Sequence, residues 1–168
     1  MKTIKINGNQ RFIVLLLAAI ICIVFTSSAM ASDLIVVATK TTQQASQHWF
    51  TFLKSKEVPL RVFTPQEFAG HEKENYIVII GGINEPRGIK DLLEKVLTKN
   101  EIRWISQEGY GKMYVKSDVW TRGQTVIVIA GSNFKAAEEA RKASKDEWFD
   151  MFADWFDLER EEGGLPAY

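Results

Sequence analysis

Three short apolar runs most constrain the fold of this chain. They lie at Leu34–Ala38, Tyr76–Ile80 and Thr125–Ala130, are rich in valine and isoleucine, and do not alternate apolar with polar side chains. A strand with one face in water alternates in that way, whereas a continuous apolar strand is covered on both faces, as in a parallel sheet. The runs therefore predict three central strands of a mostly parallel sheet, with Arg61–Phe63 as a weaker fourth candidate.

A helical pattern follows each of the three runs. Thr41–Gln44 matches the capping-box pattern and precedes an apolar face that includes Trp49. Pro86 suits the first turn of the second helix, whose apolar stripe consists of Ile89, Leu92, Leu93, Val96 and Leu97. A long helical stretch begins at Phe134. Alternating strands and helices predict an α/β fold, a small three-layer sandwich in which a mostly parallel sheet of about four strands carries helices on both faces.

The segment Ile102–Trp120 has a weaker pattern. After a turn at Gly109–Gly111, polar or aromatic side chains alternate with apolar ones over Lys112–Lys116. This alternation predicts an exposed edge strand. The chain contains no internal repeat or low-complexity stretch, and a single domain accounts for its length.

The first 31 residues have a different composition from the rest. Lys2, Lys5 and Arg11 precede an unbroken run of 14 apolar residues, Phe12–Phe25, and the triplet Ala29–Ala31 follows. A basic start, an apolar run of this length and small residues at an A-x-A triplet are typical of a secretory signal peptide. We predict that residues 1–31 are cleaved after Ala31. The alternative is an uncleaved membrane anchor, although 14 helical residues cover only about 21 Å of a hydrocarbon core of about 30 Å.

The mature chain from Ser32 onward has 137 residues and no cysteine, because the one cysteine is Cys22. Disulfides, cysteine-ligated metals and thiol nucleophiles are therefore excluded from it. Residues 32–145, the predicted α/β domain, carry a net charge of +4, whereas residues 146–168 carry −7. The chain contains no dense basic cluster interleaved with aromatic residues, so nucleic acid binding is not expected.

Residues 146–168 predict an acidic, aromatic helix followed by a short tail. A single helix from Phe134 to Leu158 would be about 37 Å long, which exceeds a strand of about 20 Å. Ser144–Glu147 matches a capping box, so a second helix is predicted to start at Lys145. Its aromatic side chains are predicted to pack back onto the domain, with an interaction face for a partner as the alternative: Trp148, Phe149, Phe152, Trp155 and Phe156.

Ligand-binding candidates follow the carboxyl ends of the predicted strands, where α/β folds hold their ligands. They are Thr39, Gly81, Gly82, Asn84, Gly131, Ser132 and Asn133. Ser132 lies at a strand-to-helix turn but lacks the G-x-S-x-G pattern of an esterase, so we predict that it caps the following helix. The glycine pair lacks the phosphate-loop and dinucleotide patterns and is expected to form a tight turn.

No metal or cofactor site is expected. His48 and His71 have no ligand spacing between them, and two unlinked histidines do not make a zinc site. Acidic side chains recur along one side of the terminal helix at Asp150, Asp154, Asp157 and Glu161. Calcium sites gather oxygens from a loop, so a solvated acidic face is the expected structure.

Two stretches resemble an α/β domain of archaeal surface-layer and related exported envelope proteins. The first is Ile77–Asn84, in which a strand ends in Gly-Gly and an asparagine follows. The second is Trp120–Ala140, in which a strand ends in Ala-Gly and an alanine-rich helix follows. The chain departs from this pattern at Asn133–Phe134, where a glycine–threonine pair would open the helix. The resemblance implies a non-enzymatic role at the cell envelope.

Together these patterns predict an exported α/β protein that has a structural or protein-interaction role at the cell envelope. Its expected partner is another envelope protein or a second copy of itself, bound through the C-terminal helix. Contact with a membrane is expected only if the N-terminal segment stays uncleaved. The alternative is a small extracytoplasmic hydrolase or ligand-binding domain that works at the strand carboxyl ends. Those ends offer backbone NH groups and hydroxyls but no convergent acid, base and nucleophile, and this favours the non-enzymatic reading.

Overall fold

The three apolar runs form the inner strands of a five-stranded sheet in the computed structural model. The strands are β1 (Leu34–Ala38), β2 (Leu60–Phe63), β3 (Tyr76–Gly82), β4 (Gly111–Ser117) and β5 (Thr125–Gly131). Their order across the sheet is β2-β1-β3-β5-β4. Every neighbouring pair is parallel except β4 with β5, which is antiparallel. The predicted α/β fold with a mostly parallel sheet is confirmed, with five strands rather than about four.

The structure describes residues 32–85 and 88–159. The predicted signal segment 1–31, the helical start at Pro86, and the tail at 160–168, including Glu161, lie outside the described residues. No helix within the described ranges is long and apolar enough to cross a membrane.

Helices cover both faces of the sheet. They are α1 (Lys40–Ala45), α2 (Gln47–Ser55), α3 (Ile89–Val96), α4 (Lys99–Ile105), α5 (Phe134–Ala143) and α6 (Lys145–Phe156). Residues from α2, α5 and α6 pack on one face of the sheet. Residues from α3 and α4 pack on the other. This is the three-layer sandwich that the alternating pattern predicts.

The continuous apolar runs supply both cores. Along β1, Leu34 and Val36 belong to one core, and Ile35 and Val37 belong to the other. All four side chains are fully buried. Successive side chains of a strand point to opposite faces, so only a run without polar interruptions fills two cores at once. Each fully buried aliphatic side chain contributes about 1.5–3 kcal/mol of transfer free energy to folding.

The segment with the weaker pattern contains both a helix and a strand. The predicted edge strand is present as β4, where Met113 is buried and Val115 stays 42% exposed. Helix α4 before it was not predicted, although Thr98 and Glu101 form a capping box there. A seven-residue helix is too short to show a clear apolar period.

Two of the predicted capping boxes are not formed. Helix α1 begins at Lys40 and is capped by Thr39, whose Oγ1 accepts from the backbone NH of Thr42, so the proposed box at Thr41 is not formed. Helix α3 begins at Ile89, after Gly88 in the left-handed region with φ of 88°. The start at Lys145 is confirmed, but Ser144 does not cap it, because its hydroxyl donates to the carbonyl of Ala140.

Candidate functional site

The carboxyl ends of β1, β3 and β5 meet at one edge of the sheet. The helices that follow β1 and β3 pack on opposite faces, which is the arrangement that opens a crevice between two neighbouring strands. All seven predicted ligand-binding residues lie at this edge, called the rim below: Thr39, Gly81, Gly82, Asn84, Gly131, Ser132 and Asn133. The residues that the sequence groups therefore lie together at one edge of the sheet.

The side chain of Glu85 occupies the crevice between β1 and β3. Its carboxylate accepts a hydrogen bond from Thr39 Oγ1 at 2.6 Å and another from Thr42 Oγ1 at 3.0 Å. The backbone NH of Gly82 also donates to it. Two hydroxyls and one backbone amide are the kind of donor set that would hold a ligand oxyanion. Here the chain's own carboxylate takes those donors.

The glycines at the rim allow close packing of backbone. A Cβ on Gly82 would overlap the backbone of Asn133 and lie 2.8 Å from the nitrogen of Phe134. A Cβ on Gly131 would lie 2.6 Å from the nitrogen of Ala137. Only glycine tolerates such approaches. Both glycines therefore serve the contact between the strand ends and α5, and the tight turn expected at the Gly81–Gly82 pair is in fact the continuation of β3.

The predicted helix cap at Ser132 is wrong by one residue. Asn133 is the N-cap of α5, and its Oδ1 accepts from the backbone NH of Ala136 at 3.0 Å. Ser132 instead accepts a hydrogen bond from the backbone NH of Gly109 at 3.1 Å, and its own NH donates to the carbonyl of Tyr110. Serine and asparagine are equally good caps, so their neighbouring positions could not be ranked from sequence.

A shallow cavity of about 270 Å³ lies beside the crevice, at the carboxyl ends of β1 and β2. Its lining consists of Thr39, Lys40, Thr64, Pro65, Gln66 and Glu67. The backbone NH and the hydroxyl of Thr64 both bind Glu67 and hold the pKa of this carboxyl below its usual range. A carboxylate held in its charged form in this way is a poor proton donor. Asn84 is exposed at the same rim.

The other predicted polar residues do not converge with the rim. His71 stacks on Phe63, with ring centroids 4.3 Å apart, and its Nδ1 lies 3.8 Å from Glu74. His48 is exposed on α2. Within residues 32–85 and 88–159, no three acidic or histidine side chains are grouped so as to hold a metal ion.

A second concave region lies between the α1–α2 junction and α5. This cleft has a volume of about 450 Å³ and is lined by Ala45, Ser46, His48, Trp49, Phe134, Glu138, Arg141 and Lys142. The guanidinium of Arg141 binds Glu138 through two nitrogens, at 3.0 Å and 2.5 Å. It also lies 5.4 Å from the ring centre of Trp49. Arg141 is only 4% exposed, although the other buried residues of α5 are all alanines.

Two residues that line the cleft have buried polar atoms that, unlike those at the rim, lack a described partner. Ser46 Oγ and Trp49 Nε1 are inaccessible to solvent and have no hydrogen-bond partner among the described residues. Ser46 is the N-cap residue of α2, yet its side chain makes no cap hydrogen bond. Sequence reasoning missed these residues because Trp49 fits an apolar helical face and Ser46 lies inside a longer helical pattern.

Tyr114 on the edge strand is the third side chain with a buried polar atom that lacks a described partner. Burial, with smaller contributions from Tyr110 and Glu101, raises its pKa to about 12. Its ring lies between two cations, with Lys112 Nζ at 5.6 Å and Lys116 Nζ at 5.7 Å from the ring centre. The phenol therefore stays protonated at neutral pH.

The candidate interaction face on α6 is largely part of the core. Trp148, Phe149 and Phe152 are 2%, 6% and 0% exposed and pack on the sheet, so these three rings are not a surface for a partner. Trp155 stacks on Tyr76 with ring centroids 4.5 Å apart, and Phe156 also contacts Tyr76. The predicted packing onto the domain holds for this face, because the rings belong to the core on this side of the sheet.

Comparison of the chain with protein-family models, with curated proteins and with solved structures finds no match.

Proposed function

We propose that the protein is an exported, non-enzymatic domain with an interaction role at the cell envelope. The observation that carries this proposal is the position of Glu85. Its carboxylate takes the donors of Thr39, Thr42 and Gly82, at the edge where an α/β enzyme would place its substrate. A rim whose donors bind the chain itself supports a structural use of that edge.

The N-terminal pattern and the surface-layer resemblance supply the envelope part of the proposal. A basic start, the apolar run Phe12–Phe25 and the triplet Ala29–Ala31 form a secretory signal. The resemblance over Ile77–Asn84 and Trp120–Ala140 adds the envelope as destination. Neither feature depends on the packing of the domain, so the two parts of the proposal are tested separately.

The outward face of α6 is the surface that we assign to a partner. The aromatic face of this helix packs internally, whereas Asp146, Glu147, Asp150 and Asp154 are exposed on it. Residues 32–145 carry a net charge of +4. A second copy of the chain, or another envelope protein with a basic surface, complements such an acidic face.

Cell fractionation tests export. Cells that produce the full chain are separated into cytosol, envelope and medium, and the N-terminus of the recovered protein is sequenced. We expect envelope or medium, with Ser32 as the first residue. Protein recovered from the envelope with Lys2 or Thr3 near its start would support the anchor instead, and recovery from the cytosol alone would contradict export.

Association tests the interaction role. Sedimentation and chemical crosslinking of the protein in its envelope fraction are compared at low and high salt, because pairing of exposed charges weakens as salt rises. The double variant Asp146→Asn with Glu147→Gln should lose the crosslinked species. The control is Glu94→Gln on α3, which lies on the other face of the sheet. Equal crosslinking in all three proteins would refute the assignment of the partner surface.

The alternative function, a ligand-binding domain or hydrolase at the rim, rests on the cavity of about 270 Å³ beside Thr39. In that case Glu85 has to leave the crevice when a ligand enters. Glu85→Gln would then raise affinity for an anionic ligand at the rim, whereas the proposed structural use predicts only a loss of stability.

A further inference from the structure

The two edges of the sheet differ in how well they are protected against pairing with another strand. At one edge, β2 has only four residues, and Pro65 follows soon after it. At the other edge, β4 has seven residues and pairs with β5 in an uninterrupted register from Gly111 to Ser117. Proteins protect an edge strand by keeping it short, or with a proline or a bulge, because an open edge pairs with other strands. β4 has none of these three features.

The outer edge of β4 carries backbone groups that a further strand could pair with. The backbone of Tyr110 before β4, and that of Asp118 after it, form hydrogen bonds with residues that flank β5. Residues of an antiparallel pair alternate between facing the partner strand and facing away from it. The backbone NH and C=O groups of Met113, Val115 and Ser117 therefore face away from β5. Among the described residues these groups have no hydrogen-bond partner on that side.

Exposed apolar side chains lie beside this edge. The described ranges contain two exposed large hydrophobic residues, Val115 on β4 at 42% and Trp104 on α4 at 48%. The ring of Trp104 lies 6.0 Å from that of Tyr110, the residue that precedes β4. In recognition by strand addition, backbone hydrogen bonds supply affinity and the side chains beside the edge supply specificity. The edge of β4 offers both.

An antiparallel second copy of β4 is the occupant that these side chains favour. When Val115 lies opposite its own copy, Met113 lies opposite Ser117, and the outward backbone groups of the two strands meet. Side chains that are directly opposite lie about 4.5–5.5 Å apart, so the two exposed Val115 side chains cover each other. On the other face of the sheet, Tyr114 lies opposite Lys116.

The charges along β4 select this register. In it, Lys112 lies opposite Asp118 of the second copy, which gives a pair of opposite charges at each end of the paired strands. Moved by two residues in either direction, the second strand places Lys116 opposite Lys112 or opposite its own copy. Like charges directly opposite each other are destabilising. The two lysines therefore disfavour the neighbouring registers and permit the one that is centred on Val115.

We propose that two copies of the chain associate through β4, antiparallel and about a two-fold axis at Val115, so that their sheets join into one continuous sheet. Because the same surface is used on both copies, the contact closes as a dimer. Its stability comes from backbone hydrogen bonds and from the buried valine pair. The contact is separate from the acidic face of α6, and it does not rest on the proposed function.

A single cysteine on β4 tests the register. Val115→Cys would face its own copy, and Cα atoms of a hydrogen-bonded antiparallel pair lie about 5.5 Å apart, within the range that a disulfide spans. Ser117→Cys is the matched control on the same edge, because its copy would lie about 13 Å further along the strand. After mild oxidation of the purified full-chain product, we expect a disulfide-linked dimer from Val115→Cys and none from Ser117→Cys. The parent protein, oxidised in parallel, accounts for Cys22.

Sedimentation at a series of protein concentrations tests the dimer without a crosslink. We expect a monomer–dimer equilibrium that changes little with salt. Val115→Pro removes an outward NH and leaves the hydrogen bonds to β5 in place, a position at which an edge strand tolerates proline. It should weaken the dimer by about tenfold or more, because it removes both central hydrogen bonds. Val115→Thr keeps the NH and the β-branched shape, so it should dimerise nearly as the parent does. Circular dichroism checks that both variants are folded.

The outcomes separate this contact from the one proposed for α6. A protein that is monomeric at every concentration would overturn the proposal, as would equal disulfide yields from Val115→Cys and Ser117→Cys. A dimer that persists in Val115→Pro but is lost in Asp146→Asn with Glu147→Gln would also overturn it, and would place the second copy at the acidic face. The reverse pattern would support pairing through β4. None of these results depends on whether the protein is exported.

Discussion

The rim and the cleft contain similar groups but treat them in opposite ways. At the rim, the hydroxyls of Thr39 and Thr42 both donate to Glu85. In the cleft, Ser46 Oγ and Trp49 Nε1 are equally buried and lack a described partner. An unmade hydrogen bond costs a buried group about 1–3 kcal/mol. At the edge where an α/β fold usually binds its ligand, the chain's own carboxylate therefore takes the donors, whereas the donors without a described partner belong to residues packed between two helices.

Gly82→Ala is expected to have the largest effect on stability, because the rim is closely packed at this residue. Gly82→Ala places a Cβ against the backbone of Asn133 and Phe134, and backbone cannot move aside as a side chain does. We expect a loss of about 3 kcal/mol in the free energy of unfolding, at the upper end for overpacking. Urea denaturation measures it.

Gly81→Ala is the matched control for that variant. Its Cβ would point to the other face of β3 and meet Ile89 Cγ1 at 3.1 Å and Glu85 Oε1 at 3.3 Å. These are side-chain atoms, so a smaller loss is expected. Equal losses of unfolding free energy for the two variants would mean that the end of β3 tolerates no Cβ at either position. That result would contradict a specific role for the contact between Gly82 and the start of α5.

Removal of the Glu85 carboxylate tests whether the rim is closed for stability. Glu85→Ala removes the acceptor of two hydroxyls, of which only one can then donate to the other at 3.0 Å, and Thr39 and Thr42 are only 9% and 0% exposed. The expected loss is about 2 kcal/mol, read from the midpoint of thermal unfolding. Glu94→Ala, which removes an exposed ion pair with Lys90 at 3.8 Å, should change stability by less than about 0.5 kcal/mol. A Glu85→Ala variant as stable as the parent would contradict a structural role for the carboxylate.

Trp148 and Trp49 lie in the same core but differ in the hydrogen bonding of their indole NH groups. Trp148 Nε1 donates to the carbonyl of Arg141 at 3.0 Å, whereas Trp49 Nε1 has no described partner. Tryptophan-to-phenylalanine substitution removes similar ring volume at both sites. Trp148→Phe should therefore destabilise the protein by about 1 kcal/mol more than Trp49→Phe, because it also breaks a buried hydrogen bond. A reversed order would show that the Trp49 indole is already paired within the protein.

The cap of α5 provides the smallest test at the rim. Asn133→Ala should lower the free energy of unfolding by about 1 kcal/mol. It should also speed hydrogen exchange of the Ala136 NH, which donates to the Asn133 side chain. Ser132→Ala should instead speed exchange at Gly109. Faster exchange at Ala136 in Ser132→Ala would instead indicate that Ser132 is the N-cap of α5.

The inner strands were predictable because their signal is local. β1 matches its predicted bounds, and β3 and β5 extend past theirs only to include the glycines at their ends. An apolar run without alternation states by itself that both faces are covered. The stripe from Ile89 to Leu97 was equally informative, since four of its five residues are buried.

Helix starts were less predictable because capping depends on backbone conformation. Thr39 caps α1 in extended conformation, while Ser144 has a hydroxyl in the same kind of position and donates it backward to Ala140. Both sequences contain a hydroxyl before a helix. Which way that hydroxyl turns depends on the dihedral angles at the cap and on the neighbouring helix.

The sequence by itself determined the α/β class, the inner strands and the placement of the candidate residues at one edge. The spacing of apolar residues and the order of strands and helices are local features of the sequence, so no tertiary contact is needed to predict them. Tertiary structure alone decided which polar groups are paired. Glu85 binds Thr39, which lies 46 positions away in the chain, and Thr42, which lies 43 positions away. Ser46 and Trp49 line one cleft with Arg141 only because α2 and α5 pack together. The Glu85 hydrogen bonds join groups that are distant in the chain, so no local pattern encodes them.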